Sequence, residues 1–175
     1  PEPQCIELVH NQEKHVAEFD LKSITIITKF CFKKLLFDYL YEINFPIGSK
    51  LKEIIYLMAP NLYSITIPGN LTIIDSNSFK KCEFLQQITF IKNIDGKSKL
   101  SFIGDQAFNH TIIQSLTIPD SIKEIGSNCF PPTLKEINFE NGAPYLEKVH
   151  DEAFKNTQIQ SLNMPLNIKP FINSQ

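Results

Sequence analysis

An apolar–polar–apolar triplet recurs along the chain at nearly constant spacing, and that recurrence restricts the fold more than any other feature. It reads Ile43-Asn44-Phe45, Ile65-Thr66-Ile67, Ile88-Thr89-Phe90, Leu116-Thr117-Ile118, Ile137-Asn138-Phe139 and Leu162-Asn163-Met164, with Phe19-Asp20-Leu21 as an earlier copy. Successive first positions lie 24, 22, 23, 28, 21 and 25 residues apart. Three residues ahead of most triplets stands another apolar residue: Leu40, Leu62, Leu85, Ile113, Leu134 and Ile159. The alternating end of this pattern, rich in Ile, Thr and Phe, predicts a short strand with one buried face. So short a unit cannot bury its own apolar side, and copies must stack to share a core.

A second signature interlocks with the first. Ile24…Ile27…Phe32, Leu71…Ile74…Phe79, Leu100…Ile103…Phe108, Ile122…Ile125…Phe130 and Leu146…Val149…Phe154 all keep steps of three and then five. The residue before each Phe is small (Cys31, Ser78, Ala107, Cys129, Ala153), as close packing of a large ring between coils requires. Asp75, Gly104, Gly126 and His150 follow the second apolar position, and their types favour a tight left-handed turn there. Ser76, Asp105, Ser127 and Asp151 are then placed to cap one helical turn carrying the Phe. The expected unit is strand, turn, one helical turn, second strand. Residues 51–67 form a shortened unit without a Phe, and Phe32, Leu35, Leu36, Tyr39 and Leu40 fall at the spacing of a fuller helix.

Together these motifs resemble the BspA-like, or Treponema pallidum-type, leucine-rich repeat. The resemblance rests on the stretches 116–126 (LTIPDSIKEIG) and 103–108 (IGDQAF), and on the Ile-Pro and Met-Pro joints at Ile67-Pro68 and Met164-Pro165. It implies a leucine-rich-repeat solenoid: a curved stack of short parallel strands, with turns and one-turn helices on the opposite side. In that reading residues 1–23 are a partial repeat or cap and 24–167 are the repeats. Residues 168–175 begin a further, truncated repeat, because Ile168 and Phe171 match Ile122 and Ile125. The resemblance further implies a surface-exposed or secreted protein that binds host matrix proteins, cell-surface proteins or other cells. An intracellular scaffold on the same fold is the alternative.

Other chemistries find little to stand on. All 17 basic residues are Lys and the net charge is −2, so a phosphate- or base-reading surface is not expected. No run of apolar residues is long enough to cross a bilayer as a helix. Cys31 and Cys129 take the small core slot of Ala107 and Ala153, and Cys82 takes the slot of Thr111 and Thr157. They read as buried thiols acting as small hydrophobes, not as metal ligands. The four His are scattered, and no phosphate loop or nucleophile motif is present. No catalytic residue, metal site or cofactor is expected.

The informative polar residues are those of the strand row. Asn44, Thr66, Thr89, Thr117, Asn138 and Asn163 stand between the two apolar residues of each triplet, and Glu42, Ser64, Gln87, Ser115, Glu136 and Ser161 just before them. Stacked at about 4.8 Å, they make a mostly uncharged, hydrogen-bonding sheet face. Such a face is either a solvated surface whose neighbours satisfy one another or a partner-binding surface. Tyr41 and Tyr63 flank the row, and Tyr gives large contact area at low entropic cost. The contact patch is therefore expected around Tyr41, Tyr63, Thr66 and Thr89.

Overall fold

A computed structural model describes residues 16–17, 25–27, 40–160 and 162. Its strands are β1 (Val16–Ala17), β2 (Ile26–Ile27), β3 (Glu42–Asn44), β4 (Glu53–Ile54), β5 (Ser64–Ile67), β6 (Ile73–Ile74), β7 (Gln87–Phe90), β8 (Phe102–Ile103), β9 (Ser115–Ile118), β10 (Glu124–Ile125), β11 (Glu136–Phe139) and β12 (Lys148–Val149). The even strands form one parallel sheet, β12-β10-β8-β6-β4-β2, and the odd strands stack as β1-β3-β5-β7 and as β9-β11. Each coil thus lends one strand to either side of a parallel β-solenoid.

Both periodic signatures supply the core between these sheets. Leu40, Leu62, Leu85, Ile113 and Leu134, three residues ahead of the triplets, are at most 2% exposed. On the other side Ile27, Ile54, Ile74, Ile103, Ile125 and Val149 fall in one pairing register and are all buried. The Phe rings make the expected ladder. Phe79, Phe108, Phe130 and Phe154 stack with centroids 5.2, 6.2 and 5.0 Å apart. The residues before them, Ser78, Ala107, Cys129 and Ala153, are buried.

The turn region that carries the Phe residues differs from the expected helical turn. Among the described residues the one helical segment is the 3-10 turn Glu140–Gly142. Around each Phe the chain instead runs as successive turns, and key N–H groups bond to the next coil. Phe79 N–H donates to Ala107 O (3.1 Å), Phe108 N–H to Cys129 O (2.9 Å) and Gln106 N–H to Ser127 O (2.9 Å). A single helical turn would have left those first-turn donors without a partner along its own axis, whereas the neighbouring coil supplies one. The left-handed residues are Asn77, Gln106, Asn128 and Glu152 (φ of 59, 55, 48 and 60°), two places beyond the positions expected. Gly104 and Gly126 serve another purpose: a Cβ on either would lie 2.5 Å from a backbone nitrogen of the preceding coil. The expected caps also reach between coils. Ser76 Oγ accepts from Asp105 N–H (3.2 Å), and Asp105 Oδ1 accepts from Ser127 N–H (2.7 Å).

The shortened unit has a substitute for the missing ring. Leu57 is fully buried, and its N–H donates to Ser78 O (2.7 Å), as Phe79 N–H does to Ala107 O one coil on. At the other end, β1 pairs with β3 through Val16↔Glu42 and Ala17↔Ile43, so the counterpart of Ile43 is Ala17 and not Phe19. The helix expected over 32–40 falls mostly outside the described residues, as do Phe32, Cys5, Cys31 and the further unit at 168–175.

The single ladder expected through all the triplets is interrupted once. Ile43, Ile65 and Ile88 are in register, and Leu116 pairs with Ile137, but β7 and β9 form no ladder. The 28-residue step between Ile88 and Leu116 explains the break. Its extra residues turn back on the coil before: Ile91 N–H donates to Ile67 O (2.9 Å) and Lys99 N–H to Gly69 O (2.9 Å). Toward the following coil, Ile112 N–H still bonds Leu85 O (3.0 Å) just ahead of the gap.

The two described thiols behave as core atoms. Cys82 and Cys129 are free and buried. Burial pushes the Cys82 thiol up to about 12 and that of Cys129 further still. Thiolate is the reactive species, so brief alkylation of the native protein followed by peptide mapping should leave both unmodified. Both should react after denaturation. Rapid native labelling at either residue would contradict this packing.

Candidate protein-interaction face

Alternation along the odd strands sets the face. In β3 and β5 the residues Ile43, Ile65 and Ile67 point into the core, which turns Glu42, Asn44, Ser64 and Thr66 outward. Register then assembles them: Glu42↔Ser64↔Gln87 form one row and Asn44↔Thr66↔Thr89 the next. Within β3, Asn44 Nδ2 donates to Glu42 Oε1 (2.9 Å), which fixes both side chains. Beside these rows Tyr41 and Tyr63 stack face to face, with centroids 5.0 Å apart and planes within 1°. Tyr41 is 49% exposed. The Tyr63 hydroxyl accepts from Gln87 Nε2 at 3.4 Å, joining the aromatic pair to the polar rows.

Ser115, Thr117, Glu136 and Asn138 form a second, separate platform on β9 and β11. It repeats one device of the first, since Asn138 Nδ2 donates to Glu136 Oε1 at 2.8 Å. Ser161 and Asn163 lie outside the described residues. What was expected as one continuous row is therefore two platforms. Between them opens a cleft of about 450 Å³, lined by Gln86, Gln87, Ile88, Thr89, Ile112, Gln114 and Ser115. The repeat places Gln86 and Gln114 beside the polar row, at the position Tyr41 and Tyr63 hold in earlier coils, but gives no sign of Ile112 or of a cleft; the long step after Ile88 is its trace in the sequence.

The opposite sheet carries a small charge cluster. Glu124 Oε1 takes His150 Nε2 at 2.5 Å and Lys148 Nζ at 3.3 Å. The hydrogen bond from His150 is the largest influence holding the Glu124 carboxyl below its ordinary value, and Lys148 adds to it. Among the described residues no group of three or more His, Cys, Asp or Glu is placed to hold a metal. No described helix is long and apolar enough to cross a membrane.

Short parallel strands stacked along two sides, a largely buried Phe stack and a left-handed turn residue recurring from coil to coil define a leucine-rich-repeat solenoid. The particular family follows from comparison: the BspA type leucine rich repeat region matches residues 11–95 and 49–174 in six copies, and the chain belongs to that family. Among solved structures, the crystal structure of the pneumococcal vaccine antigen PcpA is similar, at 26% identity and a TM-score of 0.52. The similarity covers 67% of this chain and 32% of that one, so the chain corresponds to about a third of the antigen's length. No curated protein matches the chain. Solenoids of this kind are scaffolds for protein–protein contact.

Proposed function

We propose that the chain is a non-catalytic protein-binding module, secreted or exposed at a cell surface, that holds host matrix or cell-surface proteins on the face of its odd-numbered strands. The observation that carries this reading is the Tyr41–Tyr63 stack, with Tyr41 exposed and Tyr63 half-buried, beside the Ser64–Gln87 and Thr66–Thr89 rows. Two rings that support one another lose little freedom on binding, so their contact area is available at low entropic cost. The rows beside them are almost uncharged, so recognition depends on shape and hydrogen bonds more than on long-range steering. The family and its pneumococcal antigen relative support the surface placement.

The test begins with immobilised matrix proteins and intact host cells, to find a ligand with a measurable Kd. Tyr63→Ala combined with Thr66→Lys should then weaken binding more than about tenfold, or about 1.4 kcal/mol. Circular dichroism and Tm should change little, because Thr66 lies on the outward face and neither side chain belongs to the buried core. Binding that survives those changes, but fails when the loop from Lys92 to Lys99 is shortened, would move the site to the loops and sink this reading.

A further inference from the structure

From the break in the ladder we infer a second site: the cleft between β7 and β9 binds a neutral sugar bearing an acetamido group. The argument starts from backbone groups. In a parallel ladder, alternate residues turn their N–H and C=O toward opposite neighbours. Gln87 N–H donates to Tyr63 O, so Gln87 faces β5 and Ile88 faces the cleft. On the far wall Glu136 N–H donates to Gln114 O, which leaves Ser115 facing the cleft. No ladder joins β7 to β9, so the backbone groups of Ile88 and Ser115 face the cleft without a strand partner and are free to meet a ligand.

The spacing limits what that partner is. The strands still have Cα atoms within 8 Å of each other, whereas a third strand between them would need about 9.6 Å, twice the ladder spacing. A polypeptide backbone therefore does not fit in as an added strand. The volume of about 450 Å³ falls within the range of about 300–1,000 Å³ for small-molecule sites.

The side chains decide the chemistry. The carboxamides of Gln86, Gln87 and Gln114 and the hydroxyls of Thr89 and Ser115 all line the cleft, and each offers both donor and acceptor. None of the lining residues is charged. The adjacent cation, Lys135, donates to Gln114 Oε1 at 3.2 Å. Neutral groups of both polarities suit hydroxyls, which also donate and accept, better than they suit a carboxylate or an ammonium. Ile88 and Ile112 add apolar surface to the lining. An acetamido group meets both features: its N–H and C=O can bridge the unpaired backbone groups while its methyl rests on isoleucine.

The probe is N-acetylglucosamine, with N-acetylgalactosamine, glucose and an N-acetylated, methylamide-blocked glutamine as further arms, titrated into the isotope-labelled chain and followed by amide NMR shifts. Saturable shifts confined to residues 86–89 and 112–115 are expected with one or both acetamido sugars, and binding at least about fivefold weaker with glucose. Gln87→Ala with Gln114→Ala should weaken binding at least about tenfold while the remaining amide shifts report an intact fold. Should that pair disturb the fold, Ser115→Lys, which fills the cleft from an exposed position, should abolish the shifts. Absence of saturable shifts with every sugar would overturn the inference, as would shifts centred elsewhere. Tighter binding of the blocked glutamine than of either acetamido sugar would overturn it too, in favour of a partner's side chain. The inference does not rest on the protein-binding reading, because the titration contains no protein partner.

Discussion

Replacing Phe108 with Ala should lower the stability of the solenoid by about 3–5 kcal/mol, the usual cost of emptying an aromatic core site. Phe108 is fully buried and sits in the middle of the ring stack, with Phe79 at 5.2 Å and Phe130 at 6.2 Å. Two features keep the hole from closing. The backbone on either side is fixed, since Phe108 N–H is bonded to Cys129 O and Phe79 N–H to Ala107 O. The rings above and below are held in turn by their own coils. Interfaces between neighbouring coils carry much of a solenoid's stability, so damage to one coil weakens two of them. Phe108→Leu should cost far less, because the shortened coil already fills the equivalent place with Leu57. Urea unfolding of both variants checks the pair. A loss below about 1 kcal/mol for the alanine variant would mean that the ring is not a core element.

Most of this architecture is readable from the chain, because side-chain period and burial are tied directly to strand geometry. The apolar positions of the triplets fall on a two-residue period, and those of the second signature recur once per coil, so the pairings from Ile43 to Ile88, of Leu116 with Ile137, and from Ile54 to Val149 follow residue by residue. The turn region that carries the Phe residues was less legible for a physical reason. Ser78-Phe79, Ala107-Phe108 and Cys129-Phe130 suit one helical turn as well as a run of β-turns. What decides between them is whether the N–H groups find acceptors on the next coil, a long-range fact that no local propensity records. The same holds for the left-handed residues. Asn77 and Asn128 have the type that tolerates such a backbone, but so do Asp75 and Gly126 two residues before them, and composition alone does not choose between the two places.

The candidate site follows the same division. Residues 42, 44, 64, 66, 87 and 89 lie on one face, as the alternation requires, and the Tyr41–Tyr63 contact follows from their equal distance before the triplets. The separation of that face from the platform at Ser115, Thr117, Glu136 and Asn138 arises from how the residues after Phe90 fold. They lie against Gly69, where an added Cβ would meet Asn93 N at 2.5 Å. An insertion in a sequence announces extra length and leaves open which neighbour the extra residues pack on. Here they pack on the earlier coil, and the later one is left without its ladder partner.

Gly126→Ala should destabilise the fold by about 2–3 kcal/mol through overpacking, although the glycine does not occupy the left-handed region. The usual effect of such a change at an ordinary φ is a gain of about 0.4–1 kcal/mol, because alanine restricts the unfolded chain. Sterics oppose that gain and exceed it. The new Cβ would lie 2.5 Å from Asp105 N, 2.6 Å from Asp105 Oδ1 and 2.6 Å from Gly104 C. These are backbone atoms and a carboxylate already engaged, since Asp105 Oδ1 accepts from Ser127 N–H. Relief would require moving the coils apart, and Gly126 N–H is itself bonded to Ile103 O at 2.8 Å. Gly96→Ala provides the contrast. That residue has a φ of +72° with open space around it, so its cost is backbone strain alone, about 1 kcal/mol. Denaturant unfolding should therefore rank Gly126→Ala well below Gly96→Ala in stability. A Gly126→Ala protein as stable as the parent would show that the coils do not approach one another this closely at the Asp105 turn.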